Sequence, residues 1–299
     1  MLRGVLLALL ILSPATLAKD HEVQVMTKIV YATVGDRELR LDAYLPKEDG
    51  KYPAVLVIHG GAWRTGNRFQ LAAYARSLAK MGMACFAIDY RLAPKHKWPA
   101  QIEDCRSAVK WIRQHAAEYR SDPARLGAIG YSAGGHLVSL LATTGEAPSR
   151  ENGNVDTRLQ AVAAGGAPTD FRVFPDGGEW ARFLMGGNFK EVPEKFNSAS
   201  PAAFVDKDDP PIFFYNGTSD RLVPLIWTVP FHQALKRAGV TTEMHKIEGA
   251  SHIAAAMNRT ALTQAYAFLA KHLGADTGQR TESDARAASD RTSEPKEDE

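Results

Sequence analysis

The pentapeptide Gly130-Tyr131-Ser132-Ala133-Gly134 lies between a short apolar run, Leu126 to Ile129, and a helical pattern that begins at Gly134. A serine hydroxyl is a weak nucleophile unless it is exposed, rigidly aimed and next to a base. A sharp strand-to-helix turn meets the first two conditions. Gly130 and Gly134 lack the Cβ atoms that would collide across such a turn. The pattern is weak evidence in isolation, and the strand before it and helix after it are what strengthen it. The competing role for Ser132 is an N-cap, which would satisfy backbone N–H groups without reactivity.

A second group, His59-Gly60-Gly61-Ala62-Trp63, follows the apolar run Ala54 to Ile58. Small residues let consecutive N–H groups face one point, which an oxyanion needs, so Gly61 and Ala62 are expected donors together with the N–H of Ala133. His59 reads as a loop brace and Trp63 as packing beneath the loop. A reactive serine also needs a base and a group to orient that base. Asp220 follows the apolar run Ile212 to Tyr215, and His252 follows Thr242 to Ile247. In a parallel sheet such loops emerge at one edge, so distant residues converge there. The chain order Ser132, Asp220, His252 suits acyl transfer by an activated serine. Asp170 and Asp206 are the alternative acids. Among His232, His245, His252 and His272, only His252 stands between a strand and the helix after it.

These residues require a scaffold of strands alternating with helices on a mainly parallel sheet. Val23 to Val34 and Glu38 to Leu45 read as opening antiparallel strands. Ala54 to Ile58, Met83 to Ile88, Leu126 to Ile129, Leu159 to Ala164, Ile212 to Tyr215 and Thr242 to Ile247 read as further strands. Helices are expected over Phe69 to Lys80, Ala100 to Tyr119 and Ile253 to Leu273. The stretch 171–209 mixes glycine and proline with Phe174, Trp180, Phe183, Leu184 and Phe196, and reads as a small cap-like excursion over a cleft. Its plainer alternative is an excursion packed on the domain edge.

The ends read differently. Residues 1–18 have a basic start, the apolar stretch Val5 to Leu12 and small residues up to Ala18, which predicts a secretory signal peptide and a secreted or periplasmic protein. Residues 275–299 hold eight acids, four bases and almost no large apolar side chain, and read as a disordered acidic tail. Between them, 19–274 is long enough for one α/β domain. The formal net charge is +2 over 299 residues and the bases are scattered, which argues against a nucleic-acid partner. Stable membrane insertion after signal cleavage is not expected either. Two cysteines, Cys85 and Cys105, cannot build a zinc ribbon, and two buried thiols are favoured over a bridge between them. No ligand-spaced cluster and no glycine-rich phosphate loop points to a metal or cofactor.

The set of motifs resembles the α/β-hydrolase family. Within it, the chain resembles the esterases related to hormone-sensitive lipase and the small secreted feruloyl and acetyl polysaccharide esterases. The matching pieces are His59 to Trp63, Asp89-Tyr90-Arg91-Leu92-Ala93-Pro94, Pro99 to Asp104, Asp122 to Leu126, Gly130 to His136, and the Asp220 and His252 loops. Two departures are Ala62, where lipase-like members often have a third glycine, and an N-terminal segment too short for the helical cap of larger relatives. The resemblance implies an α/β-hydrolase fold with a small cap and a cofactor-free serine carboxylic ester hydrolase. Its expected substrates are short-chain acyl esters, either small molecules or acetyl and feruloyl groups on carbohydrate. Arylformamidase activity on N-formylkynurenine is the alternative, and a non-catalytic binding protein of the same fold is a more distant one. Asp89 and Arg91 read as framework, with Arg91 bridging a carboxylate.

Overall fold

The computed structural model describes residues 20–151, 153–173 and 178–275, with the backbone alone for 178–181. The leader expected at 1–18 and all of the expected tail except Ala275 lie outside the described residues, as do 174–177 of the excursion. The strands are β1 (Val23–Val34), β2 (Arg37–Pro46), β3 (Tyr52–Ile58), β4 (Ala84–Ile88), β5 (Ser121–Tyr131), β6 (Val162–Gly165), β7 (Ile212–Gly217) and β8 (Thr242–Ile247). They form one sheet in the order β1-β2-β4-β3-β5-β6-β7-β8. The pairs β1/β2 and β2/β4 are antiparallel, and every later pair is parallel. The pairing of β1 slips between Met26 and Ile29 and again between Val30 and Ala32.

The helices are α1 (Ala72–Lys80), α2 (Ala100–Gln114), α3 (Ala133–Thr143), α4 (Gly178–Met185), α5 (Pro193–Ser198), α6 (Val229–Arg237), α7 (His252–Ala256) and α8 (Arg259–Leu273). Alternation along β3 explains how both faces of the sheet are covered. Ala54, Leu56 and Ile58 pack with Val109 of α2, Leu137 of α3 and Leu235 of α6. Val55 and Val57 pack with Leu78 of α1 and Leu269 of α8 on the other side. This is the α/β-hydrolase fold.

Three helices differ from the spacing-based expectation, the one expected from Phe69 starting only at Ala72. The helix expected to reach Tyr119 ends at Gln114. Arg120 adopts a positive φ of 50°, and its guanidinium donates to the carbonyls of Pro46, Lys47 and Glu48. The chain therefore turns, and Tyr119 enters the core edge-on against Phe86. The helix expected over Ile253 to Leu273 is two helices, because the Asn258 side chain accepts from the Ala261 N–H at 2.9 Å and starts α8 afresh. In the excursion, Leu184, Met185 and Phe196 are fully buried in the core. None of its described residues lines the cleft that holds Ser132. It meets the rim through Phe183, whose ring lies 5.6 Å from the Arg64 guanidinium carbon.

Framework ion pairs hold the loops at the sheet edge. Arg68 binds Asp42 of β2 and Asp89 after β4, both at contact distance. Arg91 is bonded to Asp104 of α2 through its backbone N–H and its guanidinium, as expected for a carboxylate bridge. Cys85 and Cys105 are buried free thiols.

Among the glycines of the described residues, Gly134 leaves the least room, where α3 meets β3. A Cβ on Gly134 would lie 1.9 Å from the Ile58 carbonyl oxygen, a distance only glycine avoids. Gly134→Ala is therefore expected to cost about 3 kcal/mol, the upper end of the usual cost of overpacking. Urea unfolding measures this, and a wild-type midpoint would contradict the close approach.

Candidate active site

Ser132 stands between β5 and α3 with φ 57° and ψ −121°, a conformation that non-glycine residues rarely adopt. Its backbone N–H donates to the Gly165 carbonyl at the end of β6 (2.8 Å), which ties the turn to the sheet. Although it occupies the N-cap position, its side chain makes no capping bond. The capping role considered for Ser132 is thus absent, and its side chain lines a cleft of about 930 Å³.

His252 is the first residue of α7, where the side chain of Ser251 caps the helix. Its Nδ1 is 2.6 Å from Asp220 Oδ2. The other carboxylate oxygen, Asp220 Oδ1, accepts the N–H groups of Leu222 and Val223 at 2.9 and 2.8 Å. The loop backbone therefore orients the acid and the acid orients the imidazole, leaving Nε2 to do chemistry. Ser132 and His252 line the same cleft, with no hydrogen bond between the serine hydroxyl and the imidazole among the described residues. Such bonds commonly tighten when substrate arrives. The alternative acids are engaged elsewhere: Asp170 binds Arg172, and Asp206 accepts from the Asp208 N–H.

Gly60, Gly61 and Ala62 line the cleft beside Ser132. Gly61 has φ 105° and Ala62 φ 51°, so the loop holds a strained conformation. At Gly61 a Cβ would strike the Thr65 carbonyl oxygen at 2.2 Å. The N–H groups of Gly61, Ala62 and Ala133 donate to no acceptor among the described residues. Ala133 is buried at the first position of α3, where helix geometry leaves its N–H without an intrahelical partner. These are the groups expected to receive negative charge.

Two tethers escape sequence reasoning. Tyr131 donates its hydroxyl to the His252 carbonyl at 2.5 Å, and burial pushes its pKa up, so it stays a donor. The nucleophile turn and the histidine loop are thereby joined directly. His136, buried one helical turn after Ser132, receives the Trp63 indole N–H at Nδ1 (3.1 Å), which leaves Nε2 to donate to the Ala199 carbonyl (2.7 Å). These two contacts specify the neutral tautomer and join the Gly61 loop, α3 and the excursion. His59 braces its own loop through Gly60 and stacks on Tyr90, as expected, and Trp63 is buried as packing.

The BD-FAE family model matches residues 41–235. The chain belongs to the BD-FAE family. Esterase LipQ of Mycobacterium tuberculosis is 31% identical to this BD-FAE member over 219 residues, covering 70% of this chain and 52% of that protein. The chain spans about half the length of the curated relatives it matches. Among solved structures, a truncated carbohydrate esterase from gut microbiota superposes with a TM-score of 0.77 at 26% identity, covering 86% of this chain and 98% of that one. Esterase 2 of Thermogutta terrifontis, phosphonylated by sarin, superposes with a TM-score of 0.71 at 27% identity, covering 84% of this chain and 94% of that one.

Burial pushes the pKa of His136 down to about 4. Its folded value lies below the ordinary one near 6.5, so between these values the unfolded chain binds the proton and the folded chain does not. The contribution of His136 to stability is therefore fully present above about pH 6.5 and falls by on the order of 3 kcal/mol as the pH drops to about 4. Urea unfolding at pH 7.5 and 4.5 tests this against His136→Gln, whose amide can make both bonds without titrating. The variant should lose distinctly less than the wild type, and equal losses would mean that His136 is not responsible.

Proposed function

We propose that this chain is a serine carboxylic ester hydrolase acting on short-chain acyl esters through an acyl-enzyme. The observation that carries the proposal is the buried 2.6 Å contact of His252 with Asp220 at a cleft that also holds the strained, uncapped Ser132. The esterase relatives support it. So does the sarin adduct of a structural neighbour, because organophosphates trap activated nucleophiles.

In this reading His252 accepts the Ser132 proton as Oγ attacks the ester carbonyl. Asp220 holds the imidazole in the tautomer that keeps Nε2 free and stabilises the cation that forms. The N–H groups of Gly61, Ala62 and Ala133 receive the oxyanion, each worth roughly 3 kcal/mol in a water-poor site. His252 then protonates the leaving alcohol, and water, activated by the same base, releases the acid. The basic start, the apolar Val5 to Leu12 stretch and the small residues before Lys19 support export with cleavage near Ala18. N-terminal sequencing of the mature protein checks that step.

Ser132→Ala is expected to lower kcat on p-nitrophenyl acetate by about 10⁴-fold or more. A fluorophosphonate probe should label the wild type at Ser132 and leave this variant unlabelled. Labelling elsewhere, or near-wild-type turnover, would overturn the assignment. Asp220→Asn, which removes the charge and misdirects the imidazole, is expected to cost on the order of 10³- to 10⁴-fold in kcat. A loss below tenfold would assign the orienting role to another group. A panel of acetylated and feruloylated carbohydrates, alkyl acetates and N-formylkynurenine measures which ester or amide is turned over best.

A further inference from the structure

Arg64, Thr65 and Gln70 line the cleft on the side of the Gly61 loop, whereas the side towards His252 carries apolar side chains, three of which, Leu222, Ile253 and Met257, are exposed at 73%, 63% and 67%. A second cavity of about 360 Å³ lies next to it. The two share Ala73, Tyr74, Ala256 and Met257 as common walls. The second cavity continues onto Leu262, Thr263 and Tyr266 of α8, with Arg259 and Ser77 also in its lining. It exists because the chain breaks between α7 and α8: Met257 ends the first helix and Asn258 begins the second. Met257 therefore stands as a ridge between the two hollows, and an unbranched thioether side chain adapts readily to a passing group.

The polar atoms of the second cavity's tyrosines are already used. Tyr74 donates its hydroxyl to the Ala256 carbonyl at 2.5 Å, and the hydroxyl of Tyr266 pairs with Ser77. What these two rings offer a ligand is hydrocarbon, with their planes crossed at 72°. Exposed apolar surface continuous with a reactive cleft marks a binding region.

The direction of the substrate follows from the proton. On the proposed mechanism, the Ser132 Oγ–acyl bond forms, the ester C–O bond breaks, and the proton that His252 took from Ser132 goes to the departing oxygen. That oxygen must therefore face His252. The apolar wall that leads away from His252 is formed by Ile253 and Ala256 of α7 and its C-cap Met257, with the Tyr131 ring on the other side at 5.0 Å.

We propose that the alcohol part of the ester is an apolar alkyl or aryl group that runs along α7, crosses Met257 and ends in the cavity between α1 and α8. This rests on the esterase reading above and adds to it the class of leaving group and the residues that select it.

Two substrate series on the full-length chain test the proposal. One holds the acetyl group fixed and lengthens the alcohol, from ethyl to hexyl acetate. The other holds p-nitrophenol fixed and lengthens the acyl group, from acetate to hexanoate. The wild type is expected to favour hexyl over ethyl acetate by at least tenfold in kcat/KM, since each buried methylene is worth about fourfold. Thr263→Trp, at an exposed helical position that lines only the second cavity, should lower that hexyl-to-ethyl ratio about tenfold. Met257→Asp, which sets a charge on the path, should do the same, and the hexanoate-to-acetate ratio should shift less than twofold in both variants. Hexyl-to-ethyl ratios unchanged in both variants would overturn the proposal, as would a shift confined to the acyl series. Failure of the esterase reading looks different: no Ser132-dependent turnover of any ester in either series.

Discussion

A positive φ at Ser132 survives because its neighbours leave the chain no other route. Ahead of it β5 is paired on both sides, with β3 and β6, and behind it Gly134 presses against the Ile58 carbonyl so tightly that no side chain fits. The Ser132 N–H is held by Gly165 in the next strand. Each contact draws on the central part of a sheet buried on both faces, where backbone displacement costs most. The strain at the turn is thus sustained by the core, and the hydroxyl stays out of the capping bond that would otherwise occupy it.

The same sheet edge sets the electrostatics. Asp220 is buried, and a buried carboxylate needs partners for its charge. It has two backbone N–H groups on one oxygen and His252 on the other. Leu222 and Val223, which donate those N–H groups, belong to the same loop, so loop conformation and carboxylate position depend on each other. The Tyr131 hydroxyl fixes the histidine loop through the carbonyl of His252. A base attached at both its side chain and its backbone has little freedom to move away from the cleft it shares with Ser132.

The parallel sheet and the loops bearing Ser132, Asp220 and His252 are legible in the sequence because both rest on local signals. These are short apolar runs of strand length, glycine spacing, and acidic or basic residues just past strand ends. What is illegible depends on contacts across the fold. Tyr131 bonds a carbonyl 121 residues away and His136 one 63 residues away, and nothing in their neighbourhoods announces either partner. The early end of α2 is set by Arg120 reaching three carbonyls of another segment. The break before α8 does have a local signal, Asn258 three residues ahead of Ala261, but the apolar spacing continues across it and outweighs the cap.

The interrupted first strand has a consequence for behaviour in crowded solution. β1 forms one margin of the sheet, and a straight strand of 12 residues there would offer a ladder of unpaired amides to any neighbouring molecule. Its two slips, with Lys28 at φ 61° and its N–H turned back to Asp42, bend the strand and spoil that template. The irregularity works against edge-to-edge pairing with another molecule, while the residues on either side of the slips keep β1 paired with β2.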